Sequence, residues 1–275
     1  MTKLCLICSG SVKKINSYSH KYEKCGFHFS TLSSGYGQDV KGLEHIRKQN
    51  FRKILTIILN LKKKPKILEI GSGDGYFVEE CIDLDISVFG SEASLDSFKK
   101  LKKKFQNKAE IYNLSLPESI IKKTKTRFDF IVFNDVFEHL TNLHKVINAS
   151  LLALKKDGII IINSPTSDGI IFKVSLFLMN LGFTKFYDRL WQKNMSSPHL
   201  SYFNKKNLNL LFSKHNFYEF ISGNLNSLDI NNSSRFNNLF DSGLKRIVFS
   251  ILCYLFFFLQ KILPKDIMFV FFKHK

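Results

Sequence analysis

Cysteine, arginine and acidic residues are all scarce in this chain of 275 residues. Five cysteines are too few for a disulfide scaffold, and three of them, Cys5, Cys8 and Cys25, fall within the first 25 residues. That distribution is typical of a metal site in a reducing compartment. Asp and Glu number 23 against 41 Lys and Arg, which gives a formal net charge of +18.

An excess of that size suits a partner that carries negative charge, such as nucleic acid, an anionic membrane or a phosphorylated substrate. Only six of the 41 basic residues are arginine. Lysine therefore dominates the excess, and a solvated lysine-rich surface explains it equally well.

Long apolar runs are also missing. The first residues lack the apolar segment of a signal peptide, and no apolar stretch reaches the roughly 20 residues that cross a bilayer. We therefore expect a cytoplasmic protein. Two shorter stretches, 170–183 and 247–259, are unusually apolar, and the second has basic flanks. We expect core or cap helices there; the alternative is attachment to a membrane surface, which leaves peripheral membrane contact open.

What is present is the composition of a globular protein, since 44% of the residues are hydrophobic. Short apolar strands alternate with helical stretches from 67 to 163, after a helix predicted over 44–61. This alternation predicts a parallel sheet covered by helices on both faces. Two further strands are predicted at 217–222 and 267–272.

A glycine loop is the strongest motif. A strand that ends at Ile70 runs into Gly71-Ser72-Gly73-Asp74-Gly75 and then into a helix. Glycine permits positive φ and the close approach of a ligand, and the helix N-terminus offers free N–H groups. Glu92 ends the next strand, where its carboxylate can accept hydrogen bonds from both hydroxyls of a ribose. No Gly-Lys-[Ser/Thr] of a P-loop follows, so hydrolysis of a nucleoside triphosphate is not expected.

These residues resemble the first two motifs of class I S-adenosylmethionine-dependent methyltransferases. Residues 128–140, a Phe-Asp strand followed by Glu-His-Leu, resemble the branch that includes ubiquinone-type O-methyltransferases and enzymes of surface-polysaccharide clusters. Residues 154–165 and 198–203 resemble later motifs of that branch. The resemblance extends from about residue 50 to about residue 225.

The resemblance implies an α/β fold over 40–275. We expect a Rossmann-like, seven-stranded, mostly parallel sheet with helices on both faces and an antiparallel last strand. A helical cap is expected over 165–215 and an apolar helix over 243–263.

The implied cofactor is S-adenosyl-L-methionine, held by Glu69, Gly71, Gly73, Gly75, Glu92 and Asn134. Glu69 would lie under the loop and orient the methionine amine, Glu92 would bind the ribose, and Asn134 would contact the methionine part or the substrate. The acidic residue that binds adenine in the family is not evident, because Asn113 or Ser115 occupies that region.

The implied reaction is methyl transfer to a hydroxyl of a small molecule or of a cell-surface glycan precursor. A hydroxyl acceptor benefits from a base. His139 and His199 are the candidates because histidine titrates near neutral pH, and Glu138 could support His139; each histidine could equally be structural. The alternatives are a ribosomal RNA base methyltransferase, which the charge would suit but the low arginine content does not, and a non-catalytic binding protein that retains the fold.

The N-terminal residues 1–35 are interpreted as a zinc-ribbon-like module. Cys5-x2-Cys8 followed by Cys25-x2-His28 has the spacing of two zinc knuckles, and so short a module could hardly fold on its own core. It resembles the zinc-ribbon heads that precede some methyltransferase domains. Tyr22 stands where those heads place their third cysteine, so the fourth ligand is open between His28, His20 and none. Structural zinc is therefore a predicted cofactor.

Overall fold

The computed structural model describes residues 4–36, 42–114, 119, 122, 126–227 and 262–275. Its strands are, in chain order, β1 (Val12–Lys14), β2 (Ser19–Tyr22), β3 (His28–Ser30), β4 (Lys66–Ile70), β5 (Ser87–Ser91), β6 (Glu110–Tyr112), β7 (Phe128–Asn134), β8 (Leu154–Pro165), β9 (Ser201–Tyr202), β10 (Phe217–Leu225) and β11 (Ile267–His274).

Its helices are α1 (Glu44–Leu61), α2 (Tyr76–Asp83), α3 (Leu95–Lys104), α4 (Leu143–Ala153), α5 (Ile170–Asn180), α6 (Thr184–Leu190) and α7 (Lys205–Ser213), with a 3-10 turn at Phe137–His139. Helix α1 has the predicted bounds.

Seven strands form the central sheet in the order β10-β11-β8-β7-β4-β5-β6. Strands β8, β7, β4, β5 and β6 pair in parallel, whereas β11 lies antiparallel to both β8 and β10. The predicted mostly parallel sheet with an antiparallel last strand is thereby confirmed.

Helices cover both faces of this sheet, as predicted. On one face α1, α2 and α3 contribute Ile54, Phe77 and Leu101 to one apolar core. On the other, α4 and α7 contribute Ile147 and Phe212 to a second core. A strand between two covered faces is an almost continuous apolar run. All seven residues of β7 are buried, and only Asp129 and Asn134, near its ends, are polar.

The N-terminal segment does not pack as a separate body. Strands β1, β2 and β3 form a second sheet whose fourth strand is β9, which follows α6 in sequence and lies within the predicted cap. Cys5 and Phe27 belong to the same apolar core as residues of β4 and β7. The segment and the sheet domain therefore share a core.

Only part of the predicted cap over 165–215 lies apart from the sheet. Helices α5 and α6 pack on the N-terminal segment through Phe172, Tyr187 and Trp191. Helix α7 instead packs on the sheet, where the ring of Phe212 stacks on Phe272 of β11 with centroids 3.8 Å apart. Most of the apolar helix predicted over 243–263 lies outside the described residues. Within the described residues no helix is both long and apolar enough to span a membrane.

Candidate active site

The predicted glycine loop connects β4 to α2 at the carboxyl end of the sheet. Gly71 and Gly75 have φ values of +73° and +81°, which favour glycine. A Cβ on Gly71 would lie 2.6 Å from Cγ2 of Val136, so the loop also has no room for a side chain there. The loop therefore depends on glycine for both its conformation and its packing.

Glu92 lies where the sequence predicted, directly after β5. Its Oε2 accepts a hydrogen bond from the backbone N–H of Gly73 at 2.9 Å, and its Oε1 accepts one from Ser94 at 2.8 Å. Each carboxylate oxygen has a further lone pair. The carboxylate is thus fixed against the glycine loop and can still accept hydrogen bonds from a ribose. The Asn113 side chain donates to the Glu92 carbonyl at 2.8 Å, and Ser115 lies outside the described residues.

Three polar side chains form a chain across adjacent strand ends. Asn163 donates to Oδ1 of Asn134 at 3.2 Å, and Asn134 donates to Oε1 of Glu69 at 2.9 Å. Oε2 of Glu69 has no hydrogen-bond partner and is buried. Burial raises the pKa of Glu69 to about 8. Such a group suits a cationic partner like the methionine ammonium, which would stabilise its charged form.

A cavity of about 560 Å³ opens beside these residues, and it is lined by all of the predicted cofactor-binding residues except Gly75. Gly75 instead begins α2 and packs against Leu101 and Phe105 of the neighbouring segment. Its role is therefore in packing, and the prediction that it contacts the cofactor is not supported by its position.

The three predicted acceptor-side residues line the same cavity. Glu138, His139 and His199 bring one ligand-capable atom each within 4.8 Å of one another. Nδ1 of His139 lies 2.9 Å from the Pro198 carbonyl oxygen. A carbonyl can only accept, so a neutral His139 carries its proton on Nδ1 and leaves the lone pair on Nε2.

Burial dominates the electrostatics of this group. It raises the pKa of Glu138 well above its usual value, with the charge of Asp135 acting in the same direction. It lowers the pKa of His139 and, more strongly, that of His199. Both imidazoles are consequently held neutral, which is the form that can take up a proton or bind a cation.

Sequence reasoning missed several lining residues. Gln192 contacts His199 with their Nε2 atoms 3.0 Å apart. Arg47 of α1 pairs with Asp135 at 3.3 Å, and Asp135 holds a φ of +52°. Asn163 could have been found from the sequence, because it is a polar residue at the end of a run of four isoleucines. Gln192, Arg47 and Asp135 could not, because the residues that they contact are distant in sequence.

Among the predicted metal ligands, the structure brings together Cys5, Cys8 and Cys25. Sγ of Cys5 and Sγ of Cys25 are 3.7 Å apart, close to the roughly 3.8 Å between two thiolates on a tetrahedral zinc with Zn–S bonds of about 2.3 Å. The backbone N–H of Ile7 donates to Sγ of Cys5 at 3.3 Å. The donor set and spacing therefore fit zinc.

His28, one candidate for the fourth ligand, does not belong to this cluster. It is buried, and its ring packs edge-on against Phe172 with centroids 5.0 Å apart. Tyr22 lies closer to the thiols: burial, and after it the proximity of Cys5, raises the pKa of its hydroxyl. The His28 side chain points away from the three thiols because β3 directs it into the aromatic core under the cap.

A parallel sheet with one antiparallel strand, a glycine loop and a strand-end acid beside a cavity defines the class I S-adenosylmethionine-dependent methyltransferases. The family model for the methyltransferase domain matches residues 43–219. This is more than half of the chain, and the protein belongs to that family.

Among curated proteins, the ubiquinone biosynthesis O-methyltransferase of Pelagibacter ubique (strain HTCC1062) is 35% identical over 102 residues. The alignment covers 36% of this chain and 42% of that protein, so the chain matches less than half of the relative's length.

Solved structures of methyltransferases share the fold. A SAM-dependent methyltransferase from Archaeoglobus fulgidus has a TM-score of 0.52 at 16% identity, with 84% of this chain and 97% of that one covered. The cyclopropane synthase MmaA2 from Mycobacterium tuberculosis has a TM-score of 0.53 at 15% identity, with 88% and 90% covered. At such identities the likeness concerns the fold alone.

Proposed function

We propose that this protein transfers a methyl group from S-adenosylmethionine to a hydroxyl of a small molecule or of a cell-surface glycan precursor. The observation that carries this proposal is the placement of the glycine loop, Glu92 and the Glu138–His139–His199 group around one cavity. The O-methyltransferase relative supports a hydroxyl as the acceptor.

The cofactor, when bound, supplies a methyl group already activated on a sulfonium. Glu92 would hold the ribose, because its carboxylate is fixed by Gly73 and Ser94. The free Oε2 of Glu69 would face the methionine ammonium, and Asn134 would keep Glu69 in that orientation. The glycines at 71 and 73 would allow the backbone to approach the ligand.

The acceptor hydroxyl is activated by Glu138, His139 and His199. A neutral imidazole can take the hydroxyl proton itself, or it can hold an ion that lowers the pKa of the hydroxyl. Both routes need the same residues. Water would be kept from the reaction because Glu138 and His199 are buried at the cavity wall.

Two experiments test this function in sequence. Calorimetry with S-adenosylmethionine should show one site, and a radiolabelled-methyl screen against cellular glycans, lipids and RNA should label a hydroxyl-bearing acceptor. Labelling of RNA alone would identify an RNA methyltransferase, and failure to bind the cofactor would identify a binding protein that retains the fold. His139→Ala and His199→Ala should slow the transfer, whereas His274→Ala, remote at the end of β11, should not.

We further propose that Cys5, Cys8 and Cys25 bind a structural zinc ion. This proposal is supported by the thiol spacing. The three thiols lie in the core that the N-terminal segment shares with the sheet, so zinc would stabilise that junction. Zinc binding and folding are coupled in segments of this size.

Peripheral membrane contact is proposed through the cap, at a surface made of Val174, Phe177, Leu181, Phe183 and Phe186, here called the apolar cap surface. All five are exposed, by 46% to 63%. Val174, Phe177 and Leu181 follow the i, i+3, i+7 spacing of one helix face.

The side chains around the apolar cap surface favour a lipid partner. Lys173, Lys185 and Arg189 are exposed beside it, whereas Asp188 is engaged with Lys193. Exposed aromatic and aliphatic side chains rimmed by cations suit an anionic membrane surface. The other proposed membrane segment, 247–259, lies outside the described residues.

A further inference from the structure

Glu138 is completely buried, yet neither of its carboxylate oxygens has a hydrogen-bond partner in the described structure. Other buried carboxylates of the described chain are engaged. Glu80 pairs with Arg52, and Asp129 is held by Lys62 and Lys155. A buried carboxylate without a partner is costly, so Glu138 needs a partner that the described residues do not provide.

Two imidazoles complete a ligand set around it. The rings of His139 and His199 have centroids 4.7 Å apart and are tilted by 64°. Together with Glu138 they place three nitrogen and oxygen ligands within 4.8 Å of one another. Two histidines and one carboxylate are a common ligand set of catalytic zinc, which keeps further positions open for water or substrate.

The surroundings of both histidines match those of metal ligands. Nδ1 of His199 is buried without a hydrogen-bond partner in the described structure, and His139 is tied through Nδ1 to the Pro198 carbonyl. Metal-bound histidines characteristically use their second nitrogen in this way, because the outer hydrogen bond fixes the ring and its tautomer.

We propose that Glu138, His139 and His199 bind a Zn²⁺ ion at the acceptor end of the cavity. The ion would compensate the carboxylate, and its open positions would face the cavity, since all three residues line it.

The role of this ion rests on the proposed function. An acceptor hydroxyl next to the ion would release its proton to water more readily. Its oxygen would then form a bond to the methyl carbon while the sulfur–methyl bond breaks. The electron pair of that bond stays on sulfur, which becomes a neutral thioether, and the products are a methyl ether and S-adenosylhomocysteine.

Co²⁺ titration of the full chain tests the site, because Co²⁺ takes zinc positions and reports its ligands by absorption. The thiol cluster should give intense sulfur-to-metal bands in the near ultraviolet. The second site should give its own visible ligand-field bands, at shorter wavelengths than the visible bands of the thiolate site and without charge transfer from sulfur, here called the second-site bands. Glu138→Gln and His199→Gln should remove only the second component and weaken that binding by at least about 100-fold, since even the loss of an outer hydrogen bond costs 10- to 100-fold. His274→Gln removes an imidazole remote from the site and should keep both.

The proposal is overturned if the wild type shows only the thiolate spectrum, or if both variants retain the second-site bands. A variant that fails to fold would lose its near-ultraviolet circular dichroism. In that case the proposal is judged from the wild type alone, by its Co²⁺ spectrum and by its zinc content after dialysis. Cofactor calorimetry on the same samples separates the two ideas. Intact cofactor binding without the second-site bands contradicts the ion alone, whereas the second-site bands without cofactor binding contradict the proposed function.

Discussion

The side-chain amide of Asn134 donates a 2.9 Å hydrogen bond to Oε1 of Glu69. The bond joins the ends of β7 and β4, two neighbouring parallel strands. It leaves Oε2 of Glu69 without a partner beside the cofactor cavity. One polar contact therefore both fixes the carboxyl group and keeps one of its oxygens available.

Replacing Glu69 by Gln should change how stability depends on pH. The pKa of Glu69 is about 8 in the folded protein, above its unfolded value of 4.5. Folding thus favours the protonated form, and this contribution is fully present below pH 4.5 and is lost as the pH rises to about 8. The loss over this whole range is on the order of 5 kcal/mol. Denaturant unfolding between pH 5 and 8.5 without cofactor should show it in the wild type and not in Glu69→Gln. Glu110→Gln, at an exposed position, should behave as wild type; parallel curves for all three proteins would contradict the assignment.

Replacing Glu92 by Gln should weaken cofactor binding. The Glu92 carboxylate accepts hydrogen bonds from the backbone N–H groups of Gly73 and Ser94. In the variant, the NH₂ group of the carboxamide would face one of these two donors, and that hydrogen bond would be lost. Hydrogen bonds to charged groups contribute about 1.5–3 kcal/mol, so the affinity for S-adenosylmethionine should fall about 10- to 100-fold. Calorimetry measures this, with Asp96→Asn on exposed α3 as the control. An unchanged dissociation constant for Glu92→Gln would remove Glu92 from the cofactor site.

Replacing Gly71 by Ala should destabilise the protein more than replacing Gly182 by Ala. Both glycines have positive φ, +73° and +93°, and a non-glycine residue in such a conformation costs about 1–3 kcal/mol. Only at Gly71 would the new methyl meet a neighbour, Val136, whereas Gly182 has nothing within 4 Å. Thermal unfolding should rank Gly71→Ala below Gly182→Ala, and adding Val136→Ala should recover part of the difference. Equal effects at the two sites would show that the loop tolerates a side chain.

Replacing Cys25 by Ser should remove one equivalent of zinc and lower the melting temperature. Zinc stabilises a small segment by the free energy of its binding. Metal analysis after zinc-replete expression should show the loss in Cys25→Ser and not in Cys81→Ala, because Cys81 lies in α2, outside the thiol cluster. Less than a tenth of an equivalent at the thiols of the wild type would refute the site.

Replacing Phe177 and Phe186 by Ser should reduce binding to anionic vesicles. The apolar cap surface would lose two of its three aromatic side chains, while its cations stay. Cosedimentation with phosphatidylserine vesicles measures the bound fraction, and Leu152→Ser, an exposed leucine of α4, serves as the control. Binding should also fall with added salt. If wild type and the double variant cosediment equally, the cap does not contact the membrane.

Local chemistry in the sequence predicted most of the sheet domain. The buried strand at Phe128–Asn134, the helix at Glu44–Leu61 and the glycine loop follow from apolar periodicity and from glycine's access to positive φ, which depend on neighbouring residues. The position of Glu92 follows from the same reasoning, since strand ends of a parallel sheet meet at one edge. These features confirmed the fold, and the predicted cofactor-binding residues other than Gly75 line one cavity.

Contacts between distant segments needed the tertiary structure. His199 reaches Glu138 and His139 only because the chain between them folds back through the cap, and no periodicity encodes that distance. The same packing pairs β9 with the N-terminal sheet and places His28 against Phe172. It also packs Gly75 against Leu101 and Phe105 and not against the cavity. The sequence thus determined which residues could do chemistry, whereas side-chain packing decided which of them meet, because the core fixes long-range distances through close contact.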